Sequence, residues 1–155
     1  MNKIVGLRES FQKAKVLYMI TFGEKGEEHS RPMTNFNDDP YNIMWFTTYT
    51  NTQKVEDIKN NDRTLILFPS EKEGEFYEIS GHSEFEKPEV VKEKWQWWFL
   101  YWHPDQKPMY WFSNYGKHPE RCIINFFPES ARTLHVSDIE YISRPYKSIL
   151  EKRTL

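Results

Sequence analysis

The stretch Trp45-Phe46-Thr47-Thr48-Tyr49-Thr50-Asn51-Thr52-Gln53-Lys54 gathers three chemical resources in ten residues: hydroxyls, backbone amides and a lysine. It passes from a β-rich run into the start of a helix, and a helix start carries unsatisfied N–H groups and positive potential. A phosphate monoester placed there meets donors ready-made. Thr48 and Thr52 offer hydroxyls and Lys54 a charge; Arg31, on the preceding strand, adds a bidentate fork if the hairpin closes towards the same place. The competing reading is plain helix capping, with Thr50 and Thr52 as caps and Lys54 solvating the first turn.

Other reactive residue types form no comparable constellation. The histidines His29, His82, His103, His118 and His135 show no pair at helical ligand spacing and have no neighbouring cysteine, so no metal site is expected and they read as ordinary hydrogen-bonding residues. His82 and His135 reach a ligand only if their strands line a barrel mouth. Cys122, the single cysteine, begins an apolar run and reads as buried filler, with no base to activate it. Gly116-Lys117 lacks the glycine-rich loop of a nucleotide-triphosphate site, and the acidic series Glu71, Glu73, Glu75, Glu78 reads as a solvated loop and strand edge.

The elements that must position these groups follow from periodicity. Residues 4–14 predict a short helix, residues 15–22 a strand ending at the turn Gly23-Glu24-Lys25-Gly26, and residues 28–36 and 42–48 two more strands, read most economically as three consecutive antiparallel strands. Thr50 with Gln53 has the capping-box spacing, and Val55 and Ile58 give the polar 51–61 segment one apolar stripe. Arg63–Phe68, closed by Pro69, predicts a strand buried on both faces; 75–86 predicts another, with Gly81 a bulge where the sheet bends. Pro88 opens the strongest helix, on which Val91, Trp95, Trp98, Phe99 and Trp102 share a face. Cys122–Phe127 and Arg132–Val136 read as two last strands separated by Pro128-Glu129-Ser130, and 143–155 as a polar tail. A small antiparallel barrel with helical decoration accounts for this series, although periodicity alone leaves its topology open.

Composition bounds the rest. One domain over residues 1–155 suffices for 155 residues, and the formal charge of −2 supplies no field for polyanions, which argues against a nucleic-acid partner. A lone cysteine suits a reducing compartment, and no apolar run approaches a membrane span, so a cytoplasmic protein with no membrane partner is expected. The aromatic content of 17% exceeds what a small core needs and points to core, subunit interface or a flat ligand.

Arg31-Pro32-Met33, Phe46 to Lys54, and Ile58 to Pro69, in that order and spacing, resemble the flavin-binding half of the pyridoxamine-phosphate-oxidase-like superfamily, most of all the short branch typified by general stress protein 26. Ser80-Gly81-His82-Ser83-Glu84-Phe85 takes the place of that branch's strand bearing glycine and a small residue. The resemblance covers about residues 10–90. It implies a mainly β fold, a six-stranded antiparallel split β-barrel of Greek-key type, working as a homodimer with FMN at the subunit interface. It implies that Arg31, Thr48, Thr52 and Lys54 hold the FMN phosphate, while Met33, Phe46 and Thr47 line the isoalloxazine side, partly through backbone groups. An aromatic from the C-terminal half of the second protomer would close the flavin, with Trp98, Trp102, Trp111 and Phe112 as candidates; packing of Trp95, Trp98 and Trp102 on the barrel is the plainer reading of those three. The oxidase's C-terminal arginine-bearing signature is absent after residue 90, which argues against a vitamin B6 oxidase. Two functional classes remain: an oxidoreductase passing electrons or hydride from a reduced nicotinamide to a small acceptor, and a non-catalytic module holding flavin, deazaflavin or haem.

Overall fold

The structure is a computed structural model that describes residues 1–102 and 121–135. Helix α1 (Leu7–Lys13) leads into β1 (Val16–Phe22) and β2 (Glu28–Thr34); β3 (Met44–Tyr49), α2 (Gln53–Asn60), β4 (Arg63–Pro69), β5 (Glu75–Phe85), α3 (Pro88–Trp102) and β6 (Arg121–His135) follow. The six strands form one antiparallel sheet in the order β2-β1-β4-β5-β6-β3, curled into a split barrel.

Alternation along the strands builds two apolar layers. Leu17 and Met19 of β1, Ile66 and Phe68 of β4 and Ile124 and Phe126 of β6 face one cluster with Leu7, Phe11 and Phe46, whereas Ile20, Phe22, Leu65 and Leu67 face a second with Phe76 and Leu134. Strand β4 is therefore buried on both faces, as its continuous apolar run predicts. Outside β6, Trp95 and Val91 of α3 pack on Ile123 with Trp45.

Two sequence expectations change. The three consecutive strands that periodicity suggests are not a meander, whereas the Greek-key split barrel that the resemblance implies is what the sheet shows: after the 35–43 connection β3 pairs with β6 at the far edge. Asn35 pins that crossing by donating to the carbonyls of Phe11 (3.2 Å) and Ala14 (2.9 Å). Asn37 then imitates a ladder residue, its amide donating to Trp45 O and its carbonyl accepting from Trp45 N, both at 3.1 Å. The sheet's two edges, β2 and β3, are thus brought to flank one split.

The second change is that 121–135 is one strand. Pro128-Glu129-Ser130 does not interrupt it, because the register shifts at Ser80/Gly81 and the extra residue is absorbed as a bulge opposite them. Gly81 is the bend the sequence suggested, for a reason specific to glycine: a Cβ there would overlap the Phe127 carbonyl and press the Phe126 ring. Gly81→Ala is expected to destabilise the fold by several times the roughly 0.5 kcal/mol of an ordinary surface change, measured as a fall in denaturant midpoint; an unchanged midpoint would show that the bulge relaxes freely. Glu78 also departs from expectation. It is not on a solvated edge but is 5% exposed in a central strand, where its cross-strand neighbour Arg132 donates to it at 2.8 Å.

Candidate functional site

The split between the edge strands is the candidate site. A cavity of about 250 Å³ opens there, between Pro32 and Met33 on one edge and Thr47 and Thr48 on the other, with Thr52 and Lys54 at the start of α2 closing one end. Tyr49 and Trp95 supply an aromatic wall, their rings 5.4 Å apart. Trp95 is held rigidly, its indole N–H donating to Cys122 O at 3.1 Å and the Arg121 guanidinium lying 4.8 Å from its ring centre. Trp95 thus packs on the barrel as expected and also borders the cavity. In cavities of about 380 and 350 Å³ elsewhere, Lys13 pairs with Glu71 at 2.6 Å and Arg8 with Asp39 at 3.4 Å.

The start of α2 is built differently from the capping box. Thr52, not Thr50, is the N-cap residue, and no side chain caps the first turn. The Thr52 hydroxyl donates backwards to Tyr49 O at 2.8 Å and lies 3.5 Å from the Thr48 hydroxyl; Gln53 reaches forward to Asp57 at 2.8 Å. The first amides of the helix are therefore left without a side-chain acceptor beside Lys54.

Lys54 and Arg31 form the electrostatic centre. Burial lowers the pKa of Lys54, the neighbouring Arg31 charge lowers it further, and Cys122 works slightly the other way. Burial also lowers that of Arg31, against the pull of Asp57. Among the described residues no carboxylate lies within ion-pair distance of Lys54. Two partly buried cations that act on each other, with Asp57 3.9 Å from Arg31 as the one carboxylate beside either, leave net positive charge, which an anion would relieve.

The predicted residues divide accordingly. Met33, Thr47, Thr48, Thr52 and Lys54 meet at the cavity. Arg31 lies off its wall but acts on Lys54 through its charge. Phe46 turns its side chain wholly into the core, so only its backbone can face a ligand. Trp98 and Trp102 fall on α3, but their side chains, like Trp111, Phe112, His103 and His118 entirely, lie outside the described residues, as does the 143–155 tail. Cys122 is buried, and burial raises its thiol to about 11 despite Lys54 and Lys59, so it is no nucleophile at neutral pH. His82 stacks on Phe127 with its Nδ1 2.5 Å from Glu129, and that hydrogen bond raises its pKa; it belongs to the bulge. Nor does His135 border the cavity: its Nδ1 lies 4.0 Å from Glu75.

The sequence reading missed a polar cluster behind Arg31. Asp57, 2% exposed, receives Thr21 Oγ1 and His29 Nδ1 on one oxygen, each at 2.7 Å, and Gln53 on the other. Arg31 donates to the Thr21 hydroxyl at 2.8 Å and to Met19 O at 3.3 Å. The signal was present: Thr21 shares strand parity with Leu17 and Met19, and Asp57 adjoins the apolar stripe of α2, so both polar groups were bound to face inwards.

Among the described residues no group of histidine, cysteine and carboxylate side chains suits a metal, and no helix is long and apolar enough to cross a membrane. The family model described as pyridoxamine 5'-phosphate oxidase like matches residues 2–154. The chain belongs to that family. Solved structures similar to this pyridoxamine 5'-phosphate oxidase-like protein include a Clostridium acetobutylicum protein related to general stress protein 26, at 19% identity and TM-score 0.60 over 82% of this chain and 84% of that one. General stress protein 26 from Bacillus anthracis is 19% identical, with TM-score 0.56 over 84% of this chain and 99% of that one. An F420 reductase is 17% identical, with TM-score 0.59 over 84% and 98%. At these identities the likeness is one of fold. No curated protein matches the chain.

Proposed function

We propose that this split-barrel cleft binds FMN and that the protein is an oxidoreductase carrying electrons or hydride from a reduced nicotinamide to a small acceptor. The observation that supports it is Lys54, under the charge of nearby Arg31, beside the uncapped start of α2 at one end of a cavity with an aromatic wall. The phosphate monoester would lie on Lys54, Arg31, Thr48 and the first amides of α2, with Thr52 contributing its backbone N–H while its hydroxyl stays on Tyr49. The isoalloxazine would run along Met33, Thr47 and the Phe46 backbone. Bound flavin would supply the redox chemistry; the protein's part is to hold the phosphate, fix the ring and exclude water. Membership of the family, and an F420 reductase among the structural neighbours, favour redox use of this fold.

The same reading makes the protein a homodimer in a reducing compartment such as the cytoplasm, with a C-terminal aromatic of the second protomer covering the flavin. Exposed Tyr49 and Trp97, 46% and 48% accessible, lie near the split and on α3 as apolar surface for that contact. The same cavity with its aromatic wall would also serve the second reading, a non-catalytic carrier of flavin, deazaflavin or haem.

The deciding test is titration of the full-length protein with FMN, FAD and riboflavin, followed by absorption. FMN is expected to bind most tightly, and riboflavin, lacking the phosphate, much more weakly. Equal affinity for FMN and riboflavin would return Lys54 and Thr52 to a helix start with no ligand. Steady-state oxidation of reduced nicotinamide by the loaded protein then separates enzyme from carrier.

A further inference from the structure

We propose that Thr21 and Asp57 are positioning residues that hold one edge of the Arg31 guanidinium so that its other edge stays directed to an anion. The inference rests on the FMN-phosphate reading above and names the residues that aim its arginine. Every hydrogen bond Arg31 makes to the described residues leaves from Nη1: one to the Thr21 hydroxyl at 2.8 Å and one to Met19 O at 3.3 Å. Both protons of that nitrogen are thereby assigned, and Nε and Nη2 keep the remaining donors of the fork. Nη2 stands 3.9 Å from Asp57 Oδ2, beyond hydrogen-bond reach, so the carboxylate attracts the arginine without occupying its free edge.

Thr21 can act this way because its own proton is committed. Its hydroxyl is fully buried and donates to Asp57 Oδ2 at 2.7 Å, which turns its lone pairs towards Arg31. Asp57 is fixed in turn by His29 at 2.7 Å and by Gln53 at 2.8 Å, and Gln53 is the first residue of α2. The relay from Gln53 through Asp57 and Thr21 to Arg31 thus ties the guanidinium to the helix start where Lys54 sits. A flexible arginine would otherwise lose part of its attraction to the entropy of ordering its side chain.

The test compares FMN and riboflavin dissociation constants for the full-length parent, Thr21→Val and Thr21→Ser. Thr21→Val is expected to weaken FMN by about tenfold, the scale of one charge-assisted hydrogen bond, to leave riboflavin unchanged, and to be rescued by Thr21→Ser. Thr21→Ala, smaller than the native residue, serves if valine disturbs the packing. Equal loss for both flavins, or no loss for either, overturns the positioning role. A parent without preference for FMN over riboflavin overturns the phosphate site itself and the proposal with it, and is visible before any variant is made.

Discussion

Asp57→Ala is expected to lower the unfolding free energy by about 3–5 kcal/mol at neutral pH, the cost of removing one member of a buried charged network. Asp57 is 2% exposed and accepts from Thr21, His29 and Gln53, with Arg31 3.9 Å away, so alanine leaves the Thr21 hydroxyl and the Arg31 charge without their common partner. Urea denaturation at constant slope measures the change, and a loss below about 1 kcal/mol would place the network among ordinary surface pairs. The effect has a definite pH dependence. Burial opposes ionisation of Asp57, but the hydrogen bonds from Thr21, Gln53 and His29 and the His29 charge outweigh it, so the carboxyl lies below its ordinary value of 3.8. A depressed folded-state pKa contributes stability that is complete above the unfolded value and disappears as pH falls through the folded one. The gap between parent and Asp57→Ala should therefore be widest above about pH 5 and narrow progressively below pH 3.8.

Arg31→Ala and Lys54→Ala should each weaken FMN binding by roughly tenfold to 150-fold, as a charged hydrogen bond to phosphate contributes about 1.5–3 kcal/mol. Riboflavin, which lacks the phosphate, should bind the parent and both variants alike. Isothermal titration at fixed ionic strength measures this, and variants that bind FMN as tightly as the parent would remove the site. An alkaline limb adds a second readout. Because burial and the Arg31 charge lower the Lys54 pKa, FMN affinity in the parent should begin to fall at a pH below that of an ordinary lysine. Arg31→Ala removes one of the two causes and should move that limb to higher pH.

Much of the barrel was legible residue by residue. The double burial of β4 was written in Leu65-Ile66-Leu67-Phe68, since a strand with no polar alternation has no face for water. The Gly81 bend was readable because glycine interrupts a strand only where backbone approaches closely. The continuity of β6 was not readable: Pro128 signals a break in isolation, and only the facing Ser80-Gly81 offers the slack that lets one residue bulge out. The capping box failed for a similar reason, because Gln53 found a deeper partner in Asp57 than the local backbone.

Taken alone, the sequence determined which residue types the cleft would contain. The local chemistry of the chain singles out Thr48, Thr52 and Lys54, the family resemblance adds Met33 and Thr47, and all five line one cavity. Tertiary structure decided which of them meet. Strand pairing is non-local, so nothing in residues 28–49 reveals that β3 crosses to β6 and leaves β2 and β3 as the two lips of one split. The charge state of the site was decided there too, since the lowered pKa values of Lys54 and Arg31 come from burial and mutual proximity, which exist only after residues far apart in the chain are packed together.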